Sequence, residues 1–140
     1  MKNEWNLPRE EIKRFVLMKY GLKIKNIYFI PRGEVSYGYM LISNEGKKYF
    51  AKIFPKTRLG KINSKKIDFS LNVSFQLYNK CNIRNVVSPI LYKDNKLKSD
   101  YKGMAFILFN YVNGVNKEII KNKDEIKNIA KLMAIIHKNS

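Results

Sequence analysis

The stretch Tyr49-Phe50-Ala51-Lys52-Ile53-Phe54 constrains the fold more than any other part of the chain. It is apolar, rich in aromatics, and stopped by Pro55, which cannot donate to a strand ladder. As a strand it sends Phe50, Lys52 and Phe54 to one face and Tyr49, Ala51 and Ile53 to the other. A lysine between two inward phenylalanines is costly unless an anion meets it. The alternative is an edge or half-exposed strand whose lysine stem reaches out to water.

The neighbouring segments supply partners for that strand. Upstream, Lys23 to Ile30 has strand character and is stopped by Pro31-Arg32-Gly33. A second strand fits Tyr37 to Ile42, and Ser43-Asn44-Glu45-Gly46 is a tight turn leading into a third strand, Lys47 to Phe54. Before them, Asn6-Leu7-Pro8 with Glu10 and Glu11 is a helix start, with Asn6 as cap. Ile12, Phe15, Val16 and Tyr20 recur at helical spacing, and Gly21 ends the run. After the third strand, Arg58 to Asn63 reads as a loop. A helix follows from about Ser64, with Ile67, Leu71, Ser74 and Tyr78 in line. Val86 to Tyr92 and Met104 to Val112 read as two further strands, and Asn113-Gly114 as a turn. From about Asp124 an amphipathic helix aligns Ile126, Ile129, Ala130, Met133 and His137. The order is helix, three strands, helix, two strands, helix. That is an α+β fold built on a five-stranded antiparallel sheet with flanking helices.

Composition narrows the function classes. At 140 residues, 45% hydrophobic and 13% aromatic, the chain has material for an ordered core and is not a disordered segment. The single Cys81 excludes a disulfide framework and a cysteine-based zinc site. The opening residues lack the apolar segment of a signal peptide, and no run is long enough to span a bilayer. A cytoplasmic protein without a membrane partner is expected. Against 11 acidic residues stand 28 basic ones, a formal net charge of +17, which raises nucleic acid as a partner. The lysines are scattered, however, with no block of five like charges, so a solvated surface is favoured over a specific nucleic-acid patch.

Taken in order, several segments resemble the N-terminal part of the aminoglycoside phosphotransferase family of small-molecule kinases, related to choline kinase. They are the first helix, the loop Gly33 to Gly38, and Phe50-Ala51-Lys52-Ile53. Ile83-Arg84-Asn85-Val86-Val87-Ser88-Pro89-Ile90 and Phe106-Ile107-Leu108-Phe109-Asn110-Tyr111-Val112-Asn113-Gly114 follow. Last comes Ile129-Ala130-Lys131-Leu132-Met133-Ala134-Ile135-Ile136-His137, similar to the family's Leu-Ala-x-x-Leu-Ala-x-Ile-His helix. The Val-Val-Ser-Pro-Ile stretch looks closest to the spectinomycin-type branch.

The resemblance implies a protein-kinase-like N-terminal lobe over residues 1–112, followed by a hinge exit and the first helix of a large lobe over 113–140. It implies an ATP cofactor, with Lys52 pairing the α- and β-phosphates. The loop from Gly33 to Gly38 would cover the triphosphate, with Ser36 at its tip. Its G-x-x-x-x-G spacing is not a P-loop, which needs Lys and Ser or Thr next. Phe109 would stand behind the adenine, and the Asn110 carbonyl and Val112 amide would meet its edge. Kinases of this kind hold the strand lysine with an acid on the next helix. Here only Asp68 is offered, about a turn early, where Ser70 or Leu71 stands at the usual position. The His-Gly-Asp catalytic loop and the later metal motif of the family are absent from the 140 residues. The expectations are therefore a chain truncated before its catalytic residues, with no catalytic or magnesium-binding residue of its own and inactive alone. The acceptor, a hydroxyl of a small molecule or antibiotic as in antibiotic resistance, would be bound only with the missing large lobe. Self-association through the last helix is expected from its uncovered apolar side chains. The competing readings are a basic α+β module binding nucleic acid and an inactive structural remnant.

Overall fold

The computed structural model describes Glu4, residues 7–114 and residues 122–139. Helix α1 (Arg9–Tyr20) leads into β1 (Ile24–Ile30), β2 (Tyr37–Ser43) and β3 (Lys48–Phe54). Helix α2 (Arg58–Asn79), β4 (Ser99–Tyr101), β5 (Met104–Asn110) and α3 (Lys123–Asn139) follow. The five strands form one sheet in the order β1-β2-β3-β5-β4, and every pairing is antiparallel.

The sheet separates two cores. On one face α1 contributes Ile12, Phe15 and Val16, which pack with Ile27, Tyr39, Leu41, Tyr49, Ala51, Ile53, Phe106 and Leu108. Phe15 meets Tyr101 and Phe106 edge-on, with ring centroids 4.9 and 5.1 Å apart, a favoured aromatic geometry. On the other face α2 lays Leu71 and Ile67 over Phe54, Ile107, Phe109 and Phe50. Alternation in β3 is what divides these sets: Tyr49, Ala51 and Ile53 are buried under α1, and Phe50, Lys52 and Phe54 face the α2 side.

Gly21 caps α1 in the left-handed region, φ 71°, with its amide bonded to the Leu17 carbonyl. Asn6 lies outside the described residues. Pro8 occupies the cap position, and its carbonyl accepts from the Glu11 and Ile12 amides.

Two segments depart from the sequence reading. Residues 58–63 are helix, not loop, because Thr57 caps α2 by accepting from the Gly60 amide at 3.1 Å. Gly60 is not a breaker there; a Cβ at that position would stand 2.1 Å from the Pro55 carbonyl oxygen, so the glycine lets the helix start against the end of β3. The fourth strand is Ser99–Tyr101, not Val86 to Tyr92. Lys102 and Gly103 turn the chain with φ 53° and 79°, the two positive values of a tight hairpin. The 86–92 run makes one isolated bridge, Pro89 to Phe109. It holds β5 through Ile90 N–H to Leu108 and Asn110 N–H to Ser88, while Pro89 itself has no amide to give.

No described helix is long and apolar enough to cross a membrane.

Candidate functional site

Lys52 sits at the centre of β3, in register with Gly38 on one side and Ile107 on the other. Partners in register share a face, so the lysine stands on the α2 side of the sheet beside a residue with no side chain. It is half-buried, and its Nζ lies 5.3 Å from the centroid of the Phe54 ring. None of the ion pairs among the described residues includes it. Burial alone pushes its pKa below the usual lysine value.

Around the lysine the sheet face is open towards β1 and β2. Tyr28 is 47% exposed, and Ile30, Met40 and Phe50 are half-buried. Phe50 packs against Phe109 with ring centroids 6.0 Å apart and planes tilted by 35°. A Cβ on Gly38 would come within 3.0 Å of the Phe50 ring, so the glycine allows the ring to lie across β2. Sequence reading put Phe50 on the lysine face without giving it a role. Its position next to the buried Phe109 makes it part of the apolar surface beside the lysine.

The loop between β1 and β2 turns at Gly33, φ 90°, and the Arg32 amide is bonded to the Ile30 carbonyl at 2.7 Å. Its exposed stretch is Pro31 to Glu34, whereas Ser36 is 8% exposed. The serine expected at the tip is therefore tucked where the chain re-enters the sheet. Gly38 lies inside β2 and not in the loop.

Asp68 does not meet Lys52. Both its oxygens accept from Lys98 Nζ, at 2.6 and 2.8 Å, and the same ammonium donates to the Ser64 carbonyl at 2.8 Å. Asp68 shares a cavity with Asn72 and residues 95–98, so it looks towards the approach to β4. Of the two residues at the usual acid position, Ser70 is exposed and Leu71 turns into the sheet face, so neither supplies a carboxylate there. The acid offered by the sequence fastens α2 to the loop before β4.

At the end of β5, Phe109 is buried among Leu71, Ile107 and Phe54. The Asn110 side chain is committed to structure: its Oδ1 accepts from the Ser88 amide at 2.5 Å. Val112 is 42% exposed, and no hydrogen bond with another described residue engages its amide. It borders a cavity of about 510 Å³ with Lys47, Lys48, Tyr78, Arg84 and Tyr111. There the Arg84 guanidinium lies 4.4 Å from the Tyr78 ring centroid, and Lys48 Nζ 5.7 Å from that of Tyr111, cation–π contacts that spacing alone did not reveal. The described residues include no group of three or more His, Cys, Asp or Glu side chains placed to hold a metal ion. The magnesium implied by the resemblance thus finds no ligand set among them.

Neither a protein-family model nor a curated protein matches this chain. Solved structures do. The crystal structure of spectinomycin phosphotransferase, APH(9)-Ia, in complex with ADP and spectinomycin superposes with a TM-score of 0.73 at 20% identity. It takes in 97% of this chain and 39% of that one. The AMP-bound complex of the same phosphotransferase gives 0.66 at 20% identity over 94% of this chain and 37% of that one. Amicoumacin kinase hAmiN in complex with AMP-PNP, Ca2+ and Ami gives 0.52 at 16% identity, over 82% of this chain and 34% of that one. The chain thus spans less than two-fifths of the length of the structures it matches. Its five-stranded antiparallel sheet with flanking helices has the fold of the N-terminal lobe of these kinase-like proteins.

Proposed function

We propose that this chain is the ATP-binding N-terminal part of an aminoglycoside phosphotransferase-like kinase acting on a hydroxyl of a small molecule or antibiotic. The carrying observation is Lys52: a half-buried ammonium beside Gly38, on an open apolar sheet face, with no carboxylate partner among the described residues. An anion is what such a group lacks. In this reading the α- and β-phosphates of ATP supply it, and the turn at Gly33 between β1 and β2 lies over the triphosphate. The base rests against the half-buried Phe50, with Phe109 packed behind it, and its edge meets the Asn110 carbonyl and the Val112 amide. Asp68 takes no part beyond fixing α2. The nucleotides named for the neighbouring structures, ADP, AMP and AMP-PNP, support the choice of ligand.

Residues 113–140 are in this reading assigned to the hinge exit and first helix of a large lobe, which would hold the acceptor. The 140 residues contain no His-Gly-Asp sequence, so this polypeptide is expected to bind nucleotide in the cytoplasm without transferring phosphate by itself. On α3, Ile126, Ile129, Met133 and Ile135 are 45–52% exposed, which favours self-association through that helix; sedimentation across a concentration series would show mass rising with concentration.

The test is calorimetric titration of ATP into the wild-type chain and Lys52→Met. A charge-assisted bond contributes about 1.5–3 kcal/mol, so the variant should bind roughly ten- to a hundredfold more weakly. Equal affinity of the two proteins would sink the assignment. Tight, steeply salt-dependent binding of arbitrary duplex DNA, with none of ATP, would favour the nucleic-acid reading instead.

A further inference from the structure

We propose that the cavity between the start of β3, the end of α2 and the residues after β5 binds a small molecule carrying clustered phosphate groups. It is the cavity of about 510 Å³ that Val112 borders, and it draws on separate stretches of chain: Lys47 and Lys48, Tyr78, Arg84, and residues 110–113. Among the described residues, three cationic side chains line it and no carboxylate does. Glu45 stands on the turn just before, outside the lining. None of the ion pairs among the described residues includes Lys47, Lys48 or Arg84. A concavity lined by one sign of charge focuses its field and concentrates ions of the other sign.

Arg84 is held in place before any ligand arrives. Its Nε donates to Asn82 Oδ1 at 2.7 Å, and its guanidinium lies 4.4 Å from the centroid of the Tyr78 ring. Asn82 takes φ 57° just after α2 ends, a left-handed conformation that asparagine adopts more readily than most residues. No other hydrogen bond joins the guanidinium to a described residue, so its planar fork is oriented with the Nη groups uncommitted. Lys48 faces the same cavity from the first position of β3, with Nζ 5.7 Å from the Tyr111 ring centroid. Lys47 stands at the margin, 5.5 Å from that of Tyr49. Cation–π contacts attract each cation to a ring face without neutralising it. A single carboxylate would bring one negative charge to three positive ones. Clustered phosphates bring several charges, and the guanidinium fork matches a pair of their oxygens.

The inference does not rest on nucleotide binding at Lys52. Lys48 and Lys52 are separated on β3 by about 13 Å along the strand. In the nucleotide reading the triphosphate lies at Lys52, and only the edge of the base approaches Val112. The basic residues look scattered along the sequence, and it is the fold that gathers Lys47, Lys48 and Arg84 around one space.

The experiment titrates sodium tripolyphosphate into the Lys52→Met chain at an ionic strength of about 0.15 M, so that the strand lysine contributes nothing. Calorimetry gives the affinity, and the amides of Gly46, Tyr111 and Asn113 are followed by NMR. One site should saturate, with those amides shifting most. Adding Arg84→Gln or Lys48→Gln should weaken binding about tenfold each. Lys65→Gln with Lys66→Gln, which removes two exposed charges elsewhere, should leave it little changed. No saturable binding, or an equal loss from the Lys65 and Lys66 pair, would reduce the attraction to net charge and overturn the proposal. A single-stranded oligonucleotide that binds through Lys48 and Arg84 where tripolyphosphate does not would overturn it too. Tripolyphosphate held at Arg84 by a wild-type chain that does not bind ATP would uphold it and count against the nucleotide reading alone.

Discussion

Lys52 is a burden on the ligand-free fold. Its folded pKa lies below the unfolded value, so the unfolded chain binds more protons wherever the two differ. The penalty is therefore full at neutral and lower pH and fades as pH climbs through the lowered pKa towards 10.5. Lys52→Met should raise the melting temperature of the free chain at pH 7. With the side chain half exposed the gain is at most about 1 kcal/mol, or roughly 2–5 °C, readable by scanning calorimetry. Tyr20 acts in the opposite direction. Burial pushes its hydroxyl from 10.0 up to about 12, so the stability it contributes is present below pH 10 and lost as pH rises through about 12. Tyr20→Phe removes the 3.2 Å contact with Ser99 Oγ, costing about 1 kcal/mol at neutral pH. It should also flatten the alkaline loss of stability in melts recorded across pH.

At the scale of elements, α2 is held at its start and along its outer side. Thr57→Ala should destabilise by about 1 kcal/mol through loss of the cap. Gly60→Ala should cost about 3 kcal/mol or more, because the added carbon meets backbone at the Pro55 carbonyl and not a movable side chain. Urea denaturation of the two variants would rank them, and the reverse order would refute this account of the helix start. The same residues explain what was legible beforehand. Strict alternation made β3 and both its faces readable from Lys52 outward, and Gly21 marked the end of α1. Gly60 hid the first turns of α2 because its reason for being there is a contact with Pro55, distant from any periodicity. Val86 to Tyr92 looked like a strand by its apolar content, yet Pro89 interrupts the donors a ladder needs. The true β4 is three residues long, too short for any pattern to show. Asp68 was placed by type and approximate spacing, and its position on α2 beside Lys98 decided its partner.

For the whole molecule, a ligand that binds only the folded state adds stability in proportion to the logarithm of its concentration. ATP at a hundred times its dissociation constant should contribute about 2.7 kcal/mol, a rise in melting temperature of roughly 5–10 °C. Thermal melts should show that rise in wild type and little of it in Lys52→Met. The sheet order also has a consequence for how these molecules meet one another. Its two borders are β1 and β4, and a border strand offers unpaired amides and carbonyls to any passing chain. β4 offers only three residues. β1 breaks register between Ile24 and Asn26, displays an exposed Lys25, and is followed by Pro31, devices that deny a straight template to an incoming strand. Both borders of the sheet thus disfavour growth of an extended cross-β assembly, which turns encounters between copies towards the exposed apolar side chains of α3.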